Sequence, residues 1–94
     1  MWSFSDRLTK PKNVLVQRVP EGDSVLLNVT SGQYFGLDSM GNTIFEKLVA
    51  GESIQSVYEA LMSEYEVDSA QLQTDLTKLI DELVANELLA IVRS

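Results

Sequence analysis

The hydrophobic pattern of this chain changes period once, at Leu37. Before that point apolar residues come in short β-branched or aromatic runs broken by turn formers; after it they recur every three or four residues. A period of two belongs to strands and a period of three to four to helices, so the switch separates a small sheet from a helical half. Val14-Leu15-Val16-Gln17-Arg18-Val19 is the first predicted strand and stops at Pro20. Pro20-Glu21-Gly22-Asp23 supplies a turn, with Pro and Gly in turn-forming places. Ser24 to Val29 is the second strand, Thr30-Ser31-Gly32 a tight connection, and Gln33 to Leu37 the third. Such short turns make neighbouring strands antiparallel. Alternation puts Val25, Leu27 and Val29 on one face of the second strand. In the third it puts Phe35 and Leu37 together, facing the core, with Tyr34 and Gly36 opposite.

Three helices are predicted beyond the switch. The first starts at Asp38 or Ser39, either of which can cap, and carries Met40, Ile44, Phe45, Leu48 and Val49 before stopping at Ala50-Gly51. The second starts at Ser53 with the stripe Ile54, Val57, Tyr58, Leu61, Met62 and Tyr65. The third starts near Asp68-Ser69, carries Leu72, Leu76, Leu79, Ile80, Leu83 and Val84, and closes at Asn86. That last stripe spans roughly 140° of the helix, a width suited to facing a core. Leu88 to Val92 is expected to run extended against the sheet. Residues 1–13 are polar, contain Pro11 and lack periodicity, which predicts a flexible N-terminal arm ahead of a domain over residues 14–92. Trp2 and Phe4 are its aromatic residues, free either to fold back or to stay exposed. The fold class is therefore α+β: a three-stranded antiparallel sheet followed by three helices, winged helix-turn-helix-like in outline.

Composition narrows the function. The chain has 94 residues with no cysteine and no histidine. That removes disulfides, cysteine-based zinc sites, and the Ser–His, Cys–His and His-rich arrangements of catalysis. The carboxylate pairs Glu64/Glu66 and Asp81/Glu82 fall on solvated helical positions, and the spacing of Gly32, Gly36 and Gly41 is not that of a phosphate loop. No enzyme signature remains, and no cofactor or metal is implied. The longest apolar run is five residues, Leu88 to Val92, and the first six residues lack the basic and apolar regions of a signal peptide. A cytoplasmic protein away from membranes is expected.

The net charge of −7 is unevenly placed. Residues 1–37 hold four basic and three acidic residues, whereas residues 38–94 hold eleven acidic and three basic ones, a net −8. A winged-helix regulator needs basic residues on its recognition helix. The third helix instead carries Asp75, Asp81 and Glu82 against Lys78, so nucleic acid is not the expected partner. A different feature of a three-stranded sheet is its two edges, each a template for a further strand. If the third strand lies at an edge, its backbone groups can pair with an extended peptide, and the third helix can supply the wall of a pocket. The same open edge makes either a monomer or a weak dimer reasonable.

The run from Leu27 to Leu48, LNVTSGQYFGLDSMGNTIFEKL, resembles the central motif of PqqD-like proteins. There, a small Gly turn leads to an aromatic pair on the third strand, then Leu-Asn/Asp, a Gly and an Ile-Trp/Phe helix. Ile54 to Tyr65, and Asp75 to Leu83 with Leu88-Leu89, resemble the family's second and third helices. Glu87 and Phe45 stand where Gly and Trp are frequent. The resemblance covers residues 14–92 and implies a RiPP recognition element, of the free-standing, lasso-peptide type. It implies that the leader of a ribosomally made precursor peptide adds as a strand to the third strand, in a cleft against the third helix. Matching positions are Gln33, Tyr34, Phe35, Gly36 and Leu37 on the strand, and Leu72, Asp75, Leu76 and Leu79 on the helix. It further implies handover of the precursor to a leader peptidase and a cyclase, or to another modifying enzyme. A PqqD-type chaperone for a radical SAM enzyme and a winged-helix DNA-binding regulator are the alternatives.

Overall fold

A computed structural model describes residues 2–92. The predicted strands form one antiparallel sheet in the order β2-β3-β4, with β2 at Val14–Arg18, β3 at Ser24–Asn28 and β4 at Tyr34–Leu37. The register brings Leu15, Leu27 and Tyr34 into one cross-strand row, and Val16, Leu26 and Phe35 into the next. Leu26 and Phe35 of the second row and the buried Leu37 pack on the helical core, while Val16 at the edge stays exposed. Gly32 closes the β3–β4 connection at φ +78°, a left-handed conformation that glycine adopts without steric cost.

Three helices cover the inner face: α1 at Ser39–Val49, α2 at Ile54–Glu64 and α3 at Ser69–Ala85. Their starts follow side-chain capping. Asp38, Ser53 and Asp68 each accept hydrogen bonds from backbone N–H groups that the first helical turn leaves unpaired. The apolar stripes converge on one core, where Leu26, Leu48, Ile54, Leu76, Ile80 and Leu83 are fully buried. The end of α3 is a Schellman motif. Leu88 N–H donates to Leu83 C=O at 2.8 Å and Glu87 N–H to Val84 C=O at 3.0 Å. Glu87 takes φ +58° there, so the residue standing where the family favours Gly occupies the left-handed position that explains the preference.

The N-terminal segment carries a strand of its own. Met1 lies outside the described residues, but Arg7–Thr9 form a strand, β1, paired antiparallel with β5 at Ala90–Val92. The predicted extended tail therefore pairs with β1 in a second, two-stranded sheet and not with the main one. Leu8 is buried at the centre of β1; burying such a side chain contributes on the order of 2 kcal/mol, which periodicity cannot reveal in three residues. The segment also anchors α2: Ile54 N–H donates to the Asp6 carbonyl at 3.0 Å and Gln55 N–H to the Phe4 carbonyl at 2.8 Å. Phe4 meets Tyr58 edge-on, and Trp2 Nε1–H donates to Asp81 Oδ1 at 2.7 Å. Trp2 and Phe4 thus fold back, across α2 and α3.

Candidate functional site

The two edges of the main sheet can be compared through their backbone groups. In an antiparallel ladder, a residue's N–H and C=O both point toward one neighbour, and successive residues alternate sides. Asn28 N–H donates to Gln33 C=O at 2.8 Å. Together with the β3–β4 register, this turns Phe35 and Leu37 toward β3, and Tyr34 and Gly36 toward the open side. The β4 edge therefore offers two donors and two acceptors, spaced for a further strand.

The β2 edge is different. Val29 N–H donates to Asn13 C=O and Val19 N–H to Asp23 C=O. By the same alternation Leu15 and Gln17 bond β3, while Val14, Val16 and Arg18 face outward. Several of those outward groups are already occupied. Lys10 Nζ donates to Val14 C=O at 2.7 Å, Val14 N–H donates to Pro11 C=O at 3.1 Å, and the Gln17 side-chain amide donates to Arg18 C=O at 3.2 Å. Arg18 also pairs with Glu46 of α1. A lysine and capped carbonyls are how proteins blunt an edge against strand addition.

The side chains named from the sequence divide by burial. Tyr34 is 75% exposed and Gly36 is exposed, on the outer face of β4. A Cβ at Gly36 would meet nothing within 4 Å, so neighbours do not require the glycine. Phe35 and Leu79 are half-buried, and both pack against the common core, one from the strand and one from the helix. Asp75 is exposed and accepts a hydrogen bond from the Gln71 side chain at 2.9 Å. Gln33 is exposed at the turn and Leu37 is buried. Leu72 and Leu76 are buried in the core, at 8% and 0% exposure, so they support α3 from beneath. On a helical projection of 100° per residue, Asp81, where Trp2 docks, lies roughly 160° from Leu79. The N-terminal segment therefore braces α3 from the flank opposite Leu79.

Sequence reasoning gave no part to Asn28, and it is the residue that joins the two sides. It is 1% exposed. Its Oδ1 accepts from the N–H groups of Thr30 and Ser31, both at 3.0 Å, and from the Asn13 side chain at 3.2 Å. Its Nδ2 donates to the Glu87 carbonyl, in the turn after α3, at 3.1 Å. An asparagine just before a Ser-Gly turn is a visible Asx-turn signal; the long-range bond to Glu87 has no local signature.

The outer face of the sheet has an unusual character. A one-sided antiparallel sheet commonly turns polar residues to water. Here that face carries Leu15, Val25, Leu27, Val29 and Tyr34, with a hollow of about 620 Å³ over it. No helix of the chain is long and apolar enough to cross a membrane, among the described residues.

Three comparisons bear on this geometry. Residues 23–89 match the family model of PqqD, coenzyme PQQ synthesis protein D. The solved structure of TbiB1 in complex with the TbiA(beta) leader peptide is 31% identical, over 86% of this chain and 93% of that one, with a TM-score of 0.77. A lasso peptide synthetase B1 complexed with the leader peptide is 28% identical, over 89% of this chain and 98% of that one, with a TM-score of 0.78. No curated protein matches the chain.

Proposed function

The chain belongs to the PqqD family, and from that footing we propose that it is a leader-peptide adaptor of ribosomal peptide biosynthesis, of the lasso-peptide kind. The observation that carries the reading is the open β4 edge, with the backbone groups of Tyr34 and Gly36 turned outward. A precursor leader adds there as an antiparallel strand. Its main-chain bonds, each worth a net ~0.5–1.5 kcal/mol, give affinity without regard to sequence. Selectivity comes from alternate leader side chains. Those turned inward meet Phe35 and the Leu79 flank of α3, over the support of Leu37, Leu72 and Leu76. Those turned outward lie beside Tyr34. Asp75 is placed to meet a basic leader residue, and Gln33 stands where the added strand meets the turn. Burying one Leu- or Tyr-sized leader side chain contributes on the order of 1.5–3 kcal/mol.

The adaptor carries no reaction of its own and works in the cytoplasm, where precursor peptides are made. Its uncovered apolar outer face supports a second role, presenting the bound precursor to a leader peptidase and cyclase or another modifying enzyme, because exposed apolar patches of this kind mark protein contacts.

The test is a fluorescence-anisotropy titration of the full chain with a labelled synthetic leader, taken from the precursor encoded beside its gene. Saturable binding in the micromolar range or tighter is expected. Absence of leader binding, with salt-sensitive binding to duplex DNA instead, would overturn the reading in favour of a winged-helix regulator.

A further inference from the structure

We propose that Asn28 is a positioning residue for peptide capture: it ties the start of the β4 edge to the C-terminal turn of α3 and so sets the spacing of the two walls between which the leader strand lies. This rests on the adaptor reading above. Three observations on one residue carry it. Its backbone N–H bonds Gln33 C=O and its C=O accepts from Gly32 N–H, both at 2.8 Å, which fixes where β4 begins. Its Oδ1 holds the turn through Thr30 and Ser31. Its Nδ2 reaches 59 residues along the chain to Glu87 C=O, the residue held at φ +58° between α3 and the buried Leu88.

The side-chain chemistry is specific. Donor and acceptor are used at once, in a site 1% exposed, so every polar atom of the side chain is satisfied. Aspartate offers acceptors alone; serine offers one oxygen that can hold the turn and is too short to reach α3. The ladder bonds of β3 bind β4 to the sheet, and the apolar stripe binds α3 to the core, but neither contact is directional between the two. A hydrogen bond is directional, and a wall misplaced by a fraction of an ångström degrades a binding constellation.

The experiment uses the full chain, ¹⁵N-labelled, with the synthetic leader named above. Asn28→Ser keeps an oxygen for the turn and removes the donor to Glu87. Ser24→Ala is the control, since it deletes a buried hydrogen bond to Asn42 at the other end of β3. Both are measured at a temperature where circular dichroism shows them folded. Asn28→Ser is expected to weaken leader binding roughly tenfold or more, and Ser24→Ala by less than about twofold. In the wild type, leader binding is expected to move the amide resonances of Glu87 and Leu88 together with those of Tyr34 and Gly36; in Asn28→Ser the response at Glu87 and Leu88 is lost. Equal affinities for the wild type and Asn28→Ser, or equal losses in the two variants, would overturn the proposal. Should Asn28→Ser not fold, the wild-type spectra decide: a leader-induced response at Tyr34 and Gly36 with none at Glu87 and Leu88 overturns it. A wild type that binds no leader at all overturns the adaptor reading, and this inference with it.

Discussion

The β2 and β4 edges belong to one sheet, have nearly the same length and flank the same central strand, yet they meet solvent differently. At β2, the lysine of the N-terminal segment, the Pro11 carbonyl and a glutamine side chain take up backbone groups that alternation turns outward. At β4 the outward groups of Tyr34 and Gly36 are left for a partner. The difference teaches that an open edge here is selective. One edge is blunted and the other left open, which is the asymmetry that the proposed strand addition at β4 requires.

Gly36→Pro should have the largest effect. Its N–H points away from β3, so proline removes no ladder bond and is tolerated as edge-strand prolines are. It does remove one donor to the leader and put a ring in its path, and anisotropy should show a loss of about 10- to 100-fold in affinity. The matched change on the other edge, Val16→Pro, whose N–H likewise points away from β3, should leave leader affinity within about twofold. Equal losses at both edges would break the comparison.

Lys10→Ala should act on the blunted edge alone. It frees the Val14 carbonyl, and light scattering at rising protein concentration should show more self-association than in the wild type, with stability lower by about 1 kcal/mol. Unchanged association would mean that Lys10 does not guard the edge. Asp75→Asn should be smaller still. Asp75 is exposed, so pairing with a basic leader residue is worth no more than about 1 kcal/mol, a weakening of fivefold or less that fades with added salt. At the corner where α3 meets the sheet, Glu87→Gly should stabilise the fold by about 0.5 kcal/mol, visible as a rise of a few degrees in melting temperature. Leader affinity should not fall, because the carbonyl that Asn28 holds is retained.

Much of this architecture is local and was therefore legible in the sequence. Asp38, Ser53 and Asp68 are caps within three residues of the groups they bond, and the turns at Gly22 and Gly32 act on adjacent strands. The inward Phe35 and Leu37, and the outward Tyr34 and Gly36, follow from alternation alone. What was not legible is long-range. β1 and β5 have three residues each and lie at opposite ends of the chain, too short for a period and too distant for a turn signal. The Trp2–Asp81 and Asn28–Glu87 bonds are likewise invisible in any local window. On β3 the apolar residues themselves mislead. Val25, Leu27 and Val29 mark the outer face, whereas Ser24, Leu26 and Asn28 are buried, the two polar ones held by Asn42 and Glu87. Leu72 and Leu76 match the family's binding positions in sequence but are buried in the core, since both lie within the apolar stripe that faces inward.

Residue-resolved amide exchange, with and without the synthetic leader, tests the central claim most directly. Strand addition at β4 predicts that the Tyr34 and Gly36 amides exchange freely in the unbound chain and slow by at least about tenfold on binding, with Val16 and Arg18 unchanged. Slowing at Val16 and Arg18, or leader binding that leaves Tyr34 and Gly36 as they were, would contradict it.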